Sequence, residues 1–149
     1  MSLQTAIMTA MKEAMKAKDQ NALTSLRAVK SAILLAQTES GAKEELTEEQ
    51  ELKLLQKLVK QRKDSAKIFN EQGRADLADP ELAQAEVIAQ FLPEQMSEDA
   101  IAAIVDEVIA ATGAAGMKDM GKVMGQVNAK VAGKADGGTI AKIVKTKLN

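Results

Sequence analysis

Side chains that could contact phosphate groups are concentrated near the C-terminus of the sequence. Residues 117–149 contain seven lysines and two aspartates, a charge of +7 − 2 = +5. Residues 93–116 contain five carboxylates and no Lys or Arg, a charge of −5. The formal net charge of −1 therefore conceals a strong asymmetry, which can indicate a nucleic-acid partner. The predicted phosphate contacts are Lys118, Lys122, Lys130, Lys134, Lys142 and Lys145.

The sequence is poor in the side chains that enzymes use most often for acid–base and nucleophilic chemistry. It contains no His and no Cys. The carboxylates Asp106 and Glu107 are adjacent, so on a helix they point to different sides. No zinc-ligand spacing and no HExxH or GxSxG pattern occurs. We therefore predict no catalytic residue, no metal site and no cofactor.

A helix with two different stripes is predicted at the start of this lysine-rich segment. Its apolar stripe follows i, i+3, i+4, i+7, i+11 spacing, which indicates one buried face. Beside that face, Gly121 and Gly125 lie in a stripe of small residues with Asn128 and Ala132, bordered by Lys118 and Lys122. A glycine inside a helix costs about 1 kcal/mol relative to alanine, so something should offset the loss. Either another helix packs against the small residues, or a nucleic-acid backbone approaches them with the lysines at its rim. The apolar stripe consists of Met120, Val123, Met124, Val127 and Val131.

The segment that follows this helix has the composition of a turn. Gly133 suits the left-handed residue that ends a helix. The next helix is expected from about Thr139, with Lys142 and Lys145 facing away from its apolar side. The backbone N–H groups of residues 137–139 could bind an anion at this helix start, with help from Lys134. The alternative is a plain interhelical turn.

Composition and periodicity predict an all-α protein with two domains. Strong helix formers dominate, and no stretch alternates apolar and polar residues long enough to indicate a strand. Pro93 marks the expected boundary, so we predict an N-terminal helical domain, 1–92, and a small three-helix tail domain, 93–149. Ser97 is expected to cap the first tail helix, 98–111. The four predicted N-terminal helices are 3–18, 22–38, 48–72 and 80–92.

Three helix starts and one helix end in the N-terminal domain have recognisable signals. Asn21 is a candidate cap for helix two, and Thr47 with Gln50 has the form of a capping box. Pro80 suits the first position of helix four, and Gly73 is expected just beyond the end of helix three. Residues 42–46 are predicted to form a loop.

Three cations fall in predicted apolar faces of the N-terminal domain. Arg27 and Lys30 interrupt the face of helix two that carries Leu23, Leu26, Ile33 and Leu34. Arg62 interrupts the inner face of helix three, which is predicted to carry Leu52, Leu55, Val59, Ala66 and Phe69. Burying an unpaired charge costs free energy. Each of these side chains would therefore need an ion-pair partner, or its aliphatic part would have to lie across a thin core so that the charge reaches solvent. The alternative is a small basic site in a groove, and Arg62 and Arg27 could share a partner. On the other side of helix three, a stripe of four lysines is either solvated or forms a second surface that contacts phosphates. These lysines are Lys53, Lys57, Lys60 and Lys67.

No segment has the pattern of a signal peptide or of a membrane span. An apolar stripe in helix one (Leu3, Ile7, Met8, Met11 and Met15) would suit a membrane-surface helix. A first core helix has the same pattern and is the favoured interpretation. The absence of cysteine fits a reducing compartment, so we expect a cytoplasmic protein with no membrane partner.

The run DMGKVMGQVNAKVAGKADGGTIAKIVKTKL resembles the tail shared by YqeY-like proteins and the B subunit of the glutamine-dependent aspartyl/glutamyl-tRNA amidotransferase. The resemblance is carried by residues 119–125 and 133–137. Four further segments resemble the stand-alone YqeY-like family: LRAVKSAI (26–33), KQRKDSAKIF (60–69), GRADLA (73–78) and FLPEQMSE (91–98). In the amidotransferase the related tail is associated with tRNA binding, while the chemistry belongs to catalytic parts that this chain does not have.

These observations predict a non-catalytic helical binding protein, with tRNA or another structured RNA as its partner. Gly121, Gly125 and the six lysines form the predicted site. The tail has no aromatic residue for base stacking, so recognition would depend on RNA shape and backbone. The alternatives are a protein–protein interaction module or an accessory component of an amidotransferase, a carbon–nitrogen ligase with glutamine as amide donor. Salt dependence distinguishes RNA binding from a packed helical interface.

Overall fold

The chain is an assembly of α-helices, as predicted. The computed structural model describes residues 2–39, 41 and 45–149, which contain seven α-helices, one 3₁₀ turn at Met117–Asp119 and no strand. The helices are α1 (Leu3–Ala17), α2 (Gln20–Glu39), α3 (Glu48–Glu71), α4 (Ala75–Ala89), α5 (Glu98–Thr112), α6 (Met120–Val131) and α7 (Gly137–Leu148).

The chain divides into two compact units, Met1–Leu92 and Pro93–Asn149, here called the N-terminal and C-terminal units. In the N-terminal unit, α3 packs mainly against α4, and α1 and α4 both pack against α2. In the C-terminal unit α5, α6 and α7 pack pairwise against one another. Each unit has its own apolar core, from residues such as Leu26, Val29 and Ile88 in the first and Val105, Val127 and Ile140 in the second.

Two of the predicted N-cap residues are confirmed, and one is wrong. The Thr47 hydroxyl accepts from the Gln50 N–H at 3.2 Å, and the Gln50 side chain accepts from the Thr47 N–H at 2.9 Å. The Ser97 hydroxyl accepts from the Ala100 N–H at 3.2 Å. Asn21, however, lies inside α2, because the Asp19 carboxylate accepts from the Ala22 N–H at 3.0 Å. Of the predicted loop 42–46, residues 42–44 lie outside the described residues.

The predicted inner face of α2 is wrong at its charged positions. Arg27 and Lys30 are both exposed, and Leu34 is 52% exposed. Leu23, Leu26 and Ile33 are buried, as predicted, and the buried face also includes Val29 and the fully buried Ser25. The Ser25 hydroxyl donates to the Asn21 carbonyl at 2.8 Å, and this hydrogen bond allows a polar residue to occupy a core position.

On α3 the inner positions Leu55, Val59 and Ala66 are buried, as predicted. Arg62 is half-buried among them. Its Nε donates to the Gln84 side-chain oxygen at 3.3 Å, and its Nη1 donates to the Leu58 carbonyl at 3.2 Å. The guanidinium is therefore satisfied by neutral oxygens, and the expected partner shared with Arg27 is not found among the described residues.

Helix α4 begins five residues earlier than its proline predicts. It starts at Ala75 and contains Pro80 in its interior. The Leu77 and Ala78 N–H groups donate to the Arg74 carbonyl at 3.1 and 3.0 Å, which closes the first turn. Ala78 is fully buried, so packing holds the turn before the proline although Pro80 donates no backbone hydrogen bond.

Helix α1 is a core helix, but only part of its apolar stripe is covered. Ile7 and Ala14 are buried in the N-terminal core, with Leu3 and Met11 partly buried against it. Met8 and Met15, which the periodicity placed in the same stripe, are 51% and 53% exposed. Among the described helices, none taken singly has the length and apolar composition of a membrane span. The bent pair Glu98–Thr112 and Met117–Val131 passes that test together, on length and composition only.

Candidate nucleic-acid interface

The apolar stripe predicted for α6 faces the core of the C-terminal unit. Val123, Val127 and Val131 are buried, and Met120 and Met124 pack partly buried against the same cluster. On α7 the inward residues are Ile140, Val144 and Leu148. Since these faces are fixed by the core, the remaining positions around each helix are fixed as well.

Two tail lysines pair with carboxylates of α5. Lys130 Nζ lies 2.9 Å from Glu107 Oε1, and Lys147 Nζ lies 2.9 Å from Asp106 Oδ1. The two adjacent carboxylates thus point to different helices, as expected for neighbours on a helix. Each pair joins α5 to one of its two neighbours, so part of the opposite charge of the two segments is neutralised within the unit. Lys130, one of the predicted phosphate contacts, already has a carboxylate partner.

The small-residue stripe of α6 is open. Gly121, Gly125, Asn128 and Ala132 are all exposed. A Cβ atom added at either glycine would have no neighbouring atom within 4 Å. No helix of the C-terminal unit therefore packs against the stripe, so packing within this unit does not explain the two glycines. Lys118 and Lys122 are exposed beside it, as predicted.

The stripe lies on the side of α6 that faces away from α5. At about 100° per residue, the nine positions from Gly121 to Lys130 amount to roughly 180° around the helix. Because Lys130 reaches α5, the glycine points away from it. On α7, Lys145 precedes Lys147 by two residues and therefore lies roughly 160° away from the lysine that reaches α5. Lys145 is exposed on this outer side, whereas Lys142, also exposed as predicted, lies beside a cleft that Glu98 of α5 lines as well.

Together these outer sides form one surface, here called the basic face. Since α6 and α7 pack on each other as well as on α5, their sides turned away from α5 adjoin. Among the described residues, its lysines form no ion pair, and neither does Lys134 in the turn between the helices. The basic face comprises Lys118, Lys122, Lys145 and the stripe with Gly121 and Gly125, and Lys142 lies at its edge, beside a cleft that Glu98 also lines.

The turn that carries Lys134 is held from the segment before α5. The Met96 N–H donates to the Lys134 carbonyl at 2.8 Å, and the Gln95 side-chain amide donates to the Gly133 carbonyl at 3.0 Å. Gly133 has the predicted left-handed backbone, with φ 82°. These bonds fix the backbone of the turn while the Lys134 side chain stays exposed.

The start of α7 is not a free anion site. Asp136 Oδ1 accepts from the Thr139 N–H at 2.7 Å, and Oδ2 accepts from the Thr139 hydroxyl at 2.7 Å. The carboxylate occupies the position that an external anion would take, and the helix begins at Gly137, two residues before the predicted start. A Cβ at Gly138 would lie 3.2 Å from Asp136 Oδ1, so the small residue there makes room for the cap. The plain interhelical turn is therefore the better interpretation.

Replacing Asp136 with alanine is expected to destabilise the C-terminal unit. The loss of an N-cap side chain costs about 1 kcal/mol, within a range of roughly 0.5–2 kcal/mol. Asp136→Asn is the matched control, because asparagine caps as well as aspartate without the charge. Chemical denaturation followed by helical circular dichroism measures both. Equal stability of the alanine and asparagine variants would contradict a capping role.

A cleft of about 500 Å³ lies beside the start of α7 and contains both signs of charge. Its charged residues are Glu98, Asp136, Lys142 and Lys147, with Ile143 as its apolar wall. A phosphate that approaches Lys142 also meets two carboxylates. Lys142 should therefore contribute less to polyanion binding than Lys122 or Lys145. The periodicity placed Lys142 on the outer side but did not show these neighbours.

The clearest pKa shifts belong to the N-terminal unit and have local causes. Hydrogen bonds from the Arg74 guanidinium lower the pKa of the Asp76 carboxyl, and the Lys53 ammonium lowers the pKa of Glu49. Burial raises the pKa of Glu51, with smaller contributions from neighbouring carboxylates. All three groups lie in the first turns of helices, where carboxylates have a structural role. Among the described residues, no group of three or more His, Cys, Asp or Glu side chains is placed to hold a metal ion.

Comparison with known proteins agrees with the tail motifs. A family model described as Yqey-like protein matches residues 4–148. The chain is 39% identical over 82 residues to the Altered inheritance of mitochondria protein 41, mitochondrial, of Clavispora lusitaniae, a match covering 55% of this chain and 46% of that protein. It is 32% identical over 96 residues to an uncharacterized protein of Schizosaccharomyces pombe, covering 64% of this chain and 76% of that protein. The matched region thus spans about half of the first relative. Because the family model covers nearly the whole sequence, the chain belongs to the YqeY-like protein family.

Proposed function

We propose that the C-terminal unit binds tRNA or another structured RNA through its basic face. The observation that carries the proposal is a set of lysines without ion pairs beside two glycines with open space above them. Lysine ammonium groups contact phosphates as point charges, and binding releases the counterions of the nucleic acid. The glycines leave the helix backbone accessible, so a sugar–phosphate chain can lie against it between the lysines.

The basic face favours recognition of shape over recognition of sequence. It has no aromatic side chain on which a base could stack and no arginine for bidentate base contacts. A folded RNA presents closely spaced phosphates at fixed positions, which a rigid set of lysines on two packed helices can match. Among structured RNAs, tRNA is the first candidate because the tail resembles that of the tRNA-dependent amidotransferase.

The experiment is a salt titration of binding to bulk tRNA, measured by fluorescence anisotropy. The test variant is Lys118→Gln/Lys122→Gln/Lys145→Gln. Each lost phosphate contact should reduce the slope of log affinity against log salt by roughly 0.7–0.9, so the triple variant should lose about 2. We expect its affinity at low salt to fall by more than about tenfold, which corresponds to about 1.4 kcal/mol.

The matched control is Lys12→Gln/Lys16→Gln/Lys18→Gln, which removes three exposed lysines from α1 and its C-cap. It should leave the affinity and the slope within error of the unmodified protein. Failure of the unmodified protein to bind tRNA at low salt would overturn the proposal. An equal loss in control and test variants would show that net charge, rather than the basic face, controls binding. A DNA duplex titrated in parallel tests the preference for structured RNA.

A further inference from the structure

The N-terminal unit has a narrow groove between α1 and α2 that is apolar at its base and at its rims. The groove has a volume of about 80 Å³. Ile7 and Ile33 are buried at its base, while Met8 and Leu34 are about half exposed at its rims. Its remaining lining residues are Gln4 and Lys30. Two large apolar side chains at the rims of one groove are thus left without cover.

The size of this α1–α2 groove indicates what it can hold. Pockets that bind small organic ligands usually measure about 300–1,000 Å³, several times the volume found here. A space of about 80 Å³ suits one apolar side chain inserted from a partner. Methionine at one rim favours this use, because its flexible thioether adapts to different side chains. Insertion of one or two side chains into a groove between helices is a recurring way to bind an amphipathic helix.

One cation lines the groove, and two more lie beside it on α1 and α2. Lys30 is its only charged lining residue. Arg27 precedes Leu34 by seven residues, or about two helical turns, and so lies on the same side of α2. Lys12 follows Met8 by four residues on α1 and is therefore its neighbour. All three cations are exposed, and none forms an ion pair among the described residues.

We propose that the α1–α2 groove docks a short acidic amphipathic helix of another protein. One apolar side chain of that helix enters the groove between Met8 and Leu34. Carboxylates on either side of its apolar stripe pair with Lys12, Arg27 and Lys30. An apolar groove with cations on both rims is complementary to this pattern, and the charges fix the position of the helix.

A second copy of this chain fits the groove less well. Helix α4 carries four carboxylates and no Lys or Arg, and its Leu77 and Leu82 are exposed. The two leucines are five residues apart, which places them roughly 140° apart around the helix. They therefore do not form one stripe that could enter a groove with carboxylates beside it.

The experiment measures binding of synthetic helical peptides to the full chain by fluorescence anisotropy. The probe peptide has leucines at i, i+3 and i+7 flanked by glutamates. A second peptide has lysines in place of the glutamates, and a third has the probe's composition in scrambled order. The probe should bind, and the other two should bind at least about tenfold more weakly. Equal binding of the probe and the scrambled peptide would overturn the proposal, since charge alone would then explain it.

Variants locate the site on the protein. Leu34→Ser should weaken probe binding about tenfold, whereas Leu35→Ser, an exposed leucine about 100° away on α2, should not. Arg27→Glu/Lys30→Glu should lose the acidic probe and gain the lysine peptide, a reversal that misfolding would not produce. Two further results would overturn the proposal. One is binding to anionic vesicles without binding to any peptide, and the other is a dimer in sedimentation velocity that Leu34→Ser dissolves.

Discussion

Replacing both Gly121 and Gly125 with alanine is expected to stabilise the C-terminal unit and to weaken its binding of RNA. In the free protein each added methyl group enters open space. Alanine is favoured over glycine inside a helix by about 1 kcal/mol, so the double substitution should add about 2 kcal/mol. For a small domain, 1 kcal/mol shifts the Tm by roughly 4–8 °C, which calorimetry resolves easily. The same methyl groups would stand between the helix and a bound phosphate backbone, and we expect tRNA affinity to fall roughly tenfold.

This pair of opposite effects separates binding from folding. A variant that binds poorly because it is damaged would be less stable, whereas this one should be more stable. Gln126→Ala is the control, because Gln126 is exposed on α6 outside the small-residue stripe. It should leave tRNA affinity unchanged. Unchanged affinity in the stabilised glycine variant would exclude contact between the stripe and RNA, while leaving the lysines as candidates. A loss of stability would contradict the open space above the glycines.

Ile140→Ala is expected to unfold much of the C-terminal unit. Ile140 is 0% exposed and lies in the core cluster with residues of all three helices. Truncating a buried isoleucine to alanine costs about 2–5 kcal/mol. At roughly 0.05–0.15 kcal/mol per residue, a unit of this size has only a few kcal/mol in total. The substitution should therefore remove most of its stability, and the basic face should be lost with it.

Hydrogen exchange measured residue by residue checks this prediction. Amide protection should fall in α5, α6 and α7 and persist in the N-terminal unit, for example at Leu26 and Val29. Ile88→Ala, at an equally buried position of the other core, is the reciprocal control. It should lower protection in the N-terminal unit and leave Val123 and Val127 protected. Simultaneous loss of protection in both units for either variant would show that the two cores unfold cooperatively.

The sequence predicted the C-terminal helices better than α2, and the reason lies in the residues themselves. In α6 every residue of the apolar stripe is Val or Met, and glycines, lysines and other polar or small residues occupy the remaining sides. Helical periodicity alone therefore identifies the buried face. In α2 apolar residues occur all around the helix, so periodicity allowed a face with Leu34 inside. The buried face also includes Ser25, whose hydroxyl is satisfied by a hydrogen bond that a pattern of apolar residues does not reveal.

Some contacts of the candidate site could not be predicted from the sequence, for a similar reason. Periodicity can say that Lys142 and Lys145 lie outside the core, because that depends only on their own helix. The pairing of Lys130 with Glu107 depends on how two helices pack, and no spacing along the chain encodes it. The cap at α7 was accessible, however. Aspartate is a favoured N-cap residue, and Asp136 directly precedes Gly137, the first residue of α7.

The separation of charge within the C-terminal unit has a consequence for kinetics. Residues 93–116 carry five carboxylates and no Lys or Arg, and only Asp106 and Glu107 of these are paired with tail lysines. The lysines of the basic face form no ion pair among the described residues, so charge is unevenly distributed in the unit and gives it an electric dipole moment. The field of a polyanion exerts a torque on such a dipole and turns the lysines toward the RNA before contact. Orientation of this kind raises the association rate constant and is lost as ions screen the field, whose range at physiological ionic strength is about 8 Å. If the proposed RNA binding is right, we expect the dipole to govern the association rate constant and the close contact at the glycines to govern the dissociation rate constant.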